Sequence, residues 1–154
     1  MPDTNPYFAL QARLAALLSA NAYFTAAAAA NLILTEEIAD LEYQVNQVVI
    51  PYGFGVIITT AEGKSAESSY GALISDEDLN VCITHNPSTR PDMNALAAQW
   101  AAIQALHGQT VLATPPAVLT ERDYIRVIGH QRRHDAPAEL NVRELHVAAG
   151  LRLL

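Results

Sequence analysis

His130 and His134 stand four residues apart, the spacing at which two imidazoles on one helix share a metal ion. A metalloprotease would need Glu where Gln131 stands, and the surrounding residues alternate as in a hairpin, so the pair is read as incidental to an exposed turn. Asp76-Glu77-Asp78-Leu79-Asn80 begins like a calcium loop. Val81 then occupies the position that needs Gly, and Pro87 the one that needs a bidentate Glu. Asp76, Glu77 and Asp78 are instead expected as a solvated turn, or as an electronegative patch at a subunit contact or pore. Gly53-Phe54-Gly55 precedes a strand rather than opening a helix, so it makes no phosphate cradle. Ser68 and Ser69 lack a nucleophile elbow. Cys82 is the single cysteine, which excludes an internal disulfide and a cysteine zinc site, and its place among apolar neighbours fits a small packed side chain. No catalytic residue, metal ligand or cofactor cradle is assigned, and the chain is expected not to be an enzyme.

The elements around these residues are better defined. Leu79, Val81 and Ile83 alternate with Asn80, Cys82 and Thr84, the period of a half-buried strand. Asn86-Pro87-Ser88 ends it, because Pro87 has no N–H to donate. Thr89 is expected to cap a following helix, with Pro91 in its first turn and Asp92 reaching back to the cap. That helix is expected to bury Leu96, Trp100 and Ile103, with Met93 and His107, and to stop at Gly108. The charge of His107 would be favoured by the helix end.

Upstream, Asn5-Pro6 reads as a helix cap, followed by an apolar stripe of Leu10, Leu14, Leu17 and Leu18 with Gln11 and Arg13 outside it. Residues 23–30 are open between helix and loop. A short strand is expected at 31–35, then an acidic stretch, 36–42, as a solvated helix burying Ile38, Leu41 and Val45. Pro51-Tyr52-Gly53 makes a turn before a central strand at 56–60. Residues 61–71 are small and polar and are expected as a long mobile hairpin loop. Pro115-Pro116 fixes an extended corner or an edge, and 124–128 and 144–153 close the chain as antiparallel strands around the loop 132–137. This order gives an α+β fold: one domain over 1–154, mainly antiparallel sheet, with two principal helices on one face.

The strand, the Asn-Pro turn, the Arg and the helix ending in Leu-His-Gly resemble the middle of the bacteriophage tail terminator proteins, also called tail-to-head joining proteins, and of related minor tail proteins. Residues 81–87 stand for the family's strand and turn, with Asn86 and Pro87 matching its Asn-Pro, Arg90 its Arg, and Leu106, His107 and Gly108 its helix end. His85 stands where the family has an acid, Thr89 where it has Asn, and Gln109 where it has an aromatic. Weaker similarity extends to Leu41-Glu42 and to 55–58. The resemblance implies a virion protein at the head-proximal end of the tail. Its homo-hexameric ring would cap the tail tube, end tube polymerisation and present a surface to the head–tail connector or neck protein, while genomic DNA passes through without specific binding. Within that frame, Glu62, Lys64, Ser65, Glu67 and Ser68 are the candidates for a loop facing the lumen or the tube. The alternatives are a neck or tail-completion protein, and a small cytoplasmic α+β enzyme or ligand-binding domain.

Composition is compatible with assembly. Of 154 residues, 51% are hydrophobic and only 16% charged. The excess belongs either to an Ala-rich core or to surface covered by neighbouring subunits. A net charge of −7 opposes sequence-specific duplex binding but suits a conduit that repels phosphates. The N-terminus lacks the positive start of a signal peptide and no apolar run reaches membrane-spanning length, so a soluble protein made in a reducing cytoplasm is expected.

Overall fold

The computed structural model describes residues 5–67 and 73–152, with backbone alone at 64–67, 73 and 74. Helix α1 (Pro6–Ser19) is followed by a short α2 (Thr25–Ala29) and strand β1 (Ile33–Thr35). Residues 41–52 are helical throughout, as α3 (Leu41–Gln44), a π turn (Val45–Val49) and α4 (Ile50–Tyr52). Strands β2 (Phe54–Glu67) and β3 (Leu73–His85) form a long hairpin, α5 (Ala95–Leu106) follows, and β4 (Arg126–Arg132) and β5 (Asn141–Arg152) complete the sheet. Strand order is β1-β2-β3-β5-β4, antiparallel except for β1 against β2. The fold is α+β.

Alternation sets the core. Phe54, Val56 and Ile58 of β2, Leu79, Val81 and Ile83 of β3, and Leu145 and Val147 of β5 are fully buried on one sheet face. Leu10, Leu14 and Leu18 of α1 pack there with Ala98, Ala101, Ala102 and Leu106 of α5. On the opposite face, Leu41 and Val45 border a cleft with Ile57 and Cys82. The acidic stretch is therefore helical only from Leu41 on.

Four further expectations are corrected. Gln11 is buried, because its amide satisfies a polar knot. Its Nε2 donates to Glu36 Oε1 at 2.9 Å and Thr60 Oγ1 at 3.0 Å, and its Oε1 accepts from Glu36 N at 2.9 Å. The edge alternative at Pro115-Pro116 is not realised, since residues 111–119 form no strand and only Thr110 beside them makes an isolated bridge, to Tyr124. Helix α5 is capped by Asn94, not Thr89. Asn94 Oδ1 accepts from Leu96 N at 2.9 Å and Ala97 N at 3.0 Å, while the Tyr23 hydroxyl holds the Asn94 backbone at both N and O. Asn94→Ala should cost about 1 kcal/mol in chemical denaturation.

The fourth correction is the face of α5. Leu96 and Trp100 are 55% and 61% exposed, and His107 is exposed, whereas Ile103 and Met93 are partly buried. The alanines lie against the sheet and α1 because small side chains let a helix approach closely, and the bulky residues are turned outward.

Candidate assembly surface

The Asn-Pro turn is built as a clamp. Asn86 N donates to Gly53 O at 2.8 Å, and Asn86 Oδ1 accepts from Ser88 N at 3.0 Å and Thr89 N at 3.4 Å. Pro87 follows where the ladder ends. Arg90 Nε donates to Tyr52 O at 2.9 Å, and its guanidinium lies 3.7 Å from the Tyr52 ring centroid, so it ties the turn to the helical segment that precedes β2. His85 Nε2 meets Arg90 O at 2.7 Å beneath the same turn. At the far end of α5, Leu106 is fully buried and Gly108 adopts φ +82°. His107 Nδ1 accepts from Val127 N at 3.0 Å, which ties the helix end to β4.

The hairpin is longer and more regular than its composition implies. Glu62, Lys64, Ser65 and Glu67 lie in β2, paired with Asp78, Asp76, Ser75 and Leu73, after a bulge between Thr60 and Glu62. Ser68 lies outside the described residues. Small polar residues were expected to loop out, but continuous pairing with β3 carries them as strand.

The acidic triplet is likewise in a strand rather than a turn, so its members face alternate sides. Glu77 is buried on the core face, where Ser75 Oγ donates to its Oε1 at 2.6 Å. Gly63 opposite leaves room for it, since a Cβ there would come within 2.6 Å of the carboxylate. Asp76 pairs with Arg122 at 3.2 Å, and Asp78 is exposed.

A surface that the sequence did not single out as exposed runs along α5 and the neighbouring sheet edge. Trp100 and Leu96 stand one turn apart on the helix, and Ile128 of β4 is 60% exposed. Ile103, His107, Val127 and Ile128 line a shallow depression between the two elements. β4 ends the sheet, with a bulge between Val127 and Gly129. His130 belongs to β4 and His134 to the loop after it, so they are not a helical pair. Among the described residues no cluster of His, Cys, Asp or Glu is arranged to hold a metal ion, and no helix is long and apolar enough to cross a membrane.

Among the described residues, Cys82, Asp123, Arg133 and Asp135 have shifted titrations, the last two because the Arg133 guanidinium donates to the Asp135 carboxylate at 2.7 Å. Burial, and then the Glu144 carboxylate, push the Cys82 thiol up, which keeps it protonated and unreactive. At Asp123, burial opposes ionisation but is outweighed. Thr120 N donates at 2.8 Å, Arg152 Nη2 at 3.2 Å and Thr120 Oγ1 at 3.1 Å, which holds the carboxyl below its usual range. A carboxyl depressed in the folded state contributes stability above its unfolded value, lost as pH falls through the folded one. Asp123→Asn should therefore lower thermal stability at neutral pH and narrow the gap between melting temperatures at about pH 7 and about pH 3.

No protein-family model matches this chain, and no curated protein is similar to it in sequence. The fold is shared with a solved chain from the virion of a native gene transfer agent particle, at a TM-score of 0.56 and 17% identity, over 92% of this chain and 93% of that one.

Proposed function

We propose that this protein is a structural component of a phage-like virion that forms a homo-hexameric ring on the tail tube, ends tube polymerisation and offers its other face to the head–tail connector or neck. The observation that carries this reading is the apolar ridge of Leu96, Trp100 and Ile128, exposed beside an open sheet edge. Burying an apolar ridge beside an open strand is what a subunit contact does. The fold shared with a gene transfer agent virion chain, and the tail-terminator resemblance of residues 81–108, supply the setting. Ring closure needs a head-to-tail contact between different surfaces. The two ends of the sheet provide them: β1 at one edge, and β4 at the other with residues 129–132 beyond its bulge available for pairing. The β2–β3 hairpin, with Glu62, Lys64, Ser65 and Glu67 at the far end of β2, is the element directed at the tube or lumen, and the candidate Ser68 follows it in sequence. The capping role is tested by adding the protein to polymerising tail-tube subunits. Tubes should stop elongating and carry density at one end. Unchanged tube lengths, or deletion of 62–69 leaving tube binding intact, would overturn the respective assignments.

A further inference from the structure

Arg132, Arg143 and Leu96 line an open cleft of about 500 Å³ where the end of β4, the start of β5 and the N-terminus of α5 meet. Neither arginine makes an ion pair among the described residues, and Arg132 has only a 3.5 Å contact with Asn141. Two unpaired guanidinium groups in one cleft are unusual in a chain with nine Lys and Arg against sixteen Asp and Glu. His85, 3% exposed, also borders the cleft, and its Nδ1 has no hydrogen-bond partner among the described residues. Nε2 donates to the Arg90 carbonyl, so Nδ1 is left as an acceptor; a buried polar atom without a partner is costly, and a hydroxyl donor from an occupant would supply one.

The complementary surface is on the same chain. Just after β1, Glu37, Asp40 and Glu42 are exposed and make no ion pair among the described residues, and Tyr43 beside them is 62% exposed. The Arg132–Arg143 cleft opens on the α5 face of the sheet, whereas Glu42 borders a cleft with Ile57, Cys82 and Arg133 on the opposite face. A chain cannot bring the two faces of its own sheet together, but a second copy can present one face to the other.

Building on the ring reading, we infer that the acidic segment of one copy, Asp40, Glu42 and Tyr43, docks in the Arg132–Arg143 cleft of the next. The carboxylates meet the two guanidinium groups, and the Tyr43 ring packs on Leu96 at the end of the Trp100 ridge. The contact is head-to-tail, so each copy offers one acidic segment and one basic cleft, and repetition closes a ring. Guanidinium–carboxylate pairing also fixes the register of the weaker apolar ridge.

The test reverses each charge set on the full chain, as R132E/R143E and D40R/E42R, and measures native mass and negative-stain images under the conditions where the wild type assembles. Each variant alone should associate at least about tenfold more weakly, because like charges then face each other. An equimolar mixture should assemble again, since the acidic cleft of one variant accepts the basic segment of the other. Only even-numbered rings can alternate in this way. Misfolded variants would not recover on mixing. Variants that assemble alone like the wild type, or a mixture of variants with wild-type melting temperatures that does not recover, would overturn the pairing and leave the ring reading standing. If R132E/R143E abolishes duplex retardation in a gel but not self-association, the cleft takes phosphate and the pairing also falls. A wild type that stays monomeric with and without tail tubes overturns the ring reading itself.

Discussion

Trp100→Asp is expected to leave the monomer folded while abolishing self-association. The indole is 61% exposed, and the buried face of α5 is made by Ala98, Ala101, Ala102 and Leu106, so the core loses nothing. Thermal or urea unfolding of the variant should stay within about 1 kcal/mol of the wild type, the residual cost being mostly the lower helix propensity of Asp. Association should change far more. A tryptophan at the centre of a desolvated contact is the residue type whose loss most often costs 2 kcal/mol or more, roughly a thirtyfold weakening or greater. The carboxylate adds a charge that must be desolvated against Leu96 and Ile128 or their counterparts in the partner. Sedimentation of the variant beside the wild type measures this directly. A variant that unfolds would place Trp100 in the core. One that associates normally would remove the α5 ridge from the interface.

Gly53→Ala should be the most damaging single-atom change near the turn. Gly53 has φ +89°, a left-handed conformation that costs an alanine roughly 1–2 kcal/mol. The added Cβ would also lie 2.7 Å from Thr89 Cβ and 3.1 Å from Arg90 Cγ. Both contacts are in the 86–90 turn, which Asn86 N ties to Gly53 O. Relief requires the turn to move away and release Arg90 from Tyr52, so overpacking adds about 1–3 kcal/mol more. A total near 3 kcal/mol corresponds to a melting temperature lower by roughly 10 °C in a domain of this size. Loss of less than about 1 kcal/mol would mean that the turn is not held as a clamp.

Much of the fold is legible where one face of an element is apolar and the other polar. Leu79, Val81 and Ile83 against Asn80 and Cys82 define β3, and Asn5-Pro6 with Leu10, Leu14 and Leu18 defines α1. Helix α5 defeats the same logic because both of its faces are apolar. Leu96, Trp100, Ile103 and His107 recur at helical spacing, but so do Ala95, Ala98, Ala102 and Ala105. Hydrophobicity alone favours the larger set for burial. Close approach to the sheet and α1 favours the smaller, and the Ala stripe was the available signal. The hairpin was misjudged for a related reason: residues 62–67 have weak strand propensity, and pairing with β3 outweighs it. Glu77 shows the same tertiary control, its carboxylate enclosed over Gly63 and bonded to Ser75. The Arg132–Arg143 cleft joins β4, β5 and α5, segments far apart in sequence whose meeting depends on strand order. The turn, by contrast, was local enough to read. Asn86-Pro87-Ser88 was expected to end the strand, and β3 does stop at His85, with the bonds of Asn86 to Gly53 and of Arg90 to Tyr52 holding the turn beyond it.

Central to this account is that copies of the chain close into a ring on a tube end. Native mass together with negative-stain imaging of the purified protein, with and without purified tail tubes, tests it most directly. The account predicts rings of six, free or as density capping one end of each tube. A monomer that ignores the tubes would contradict it.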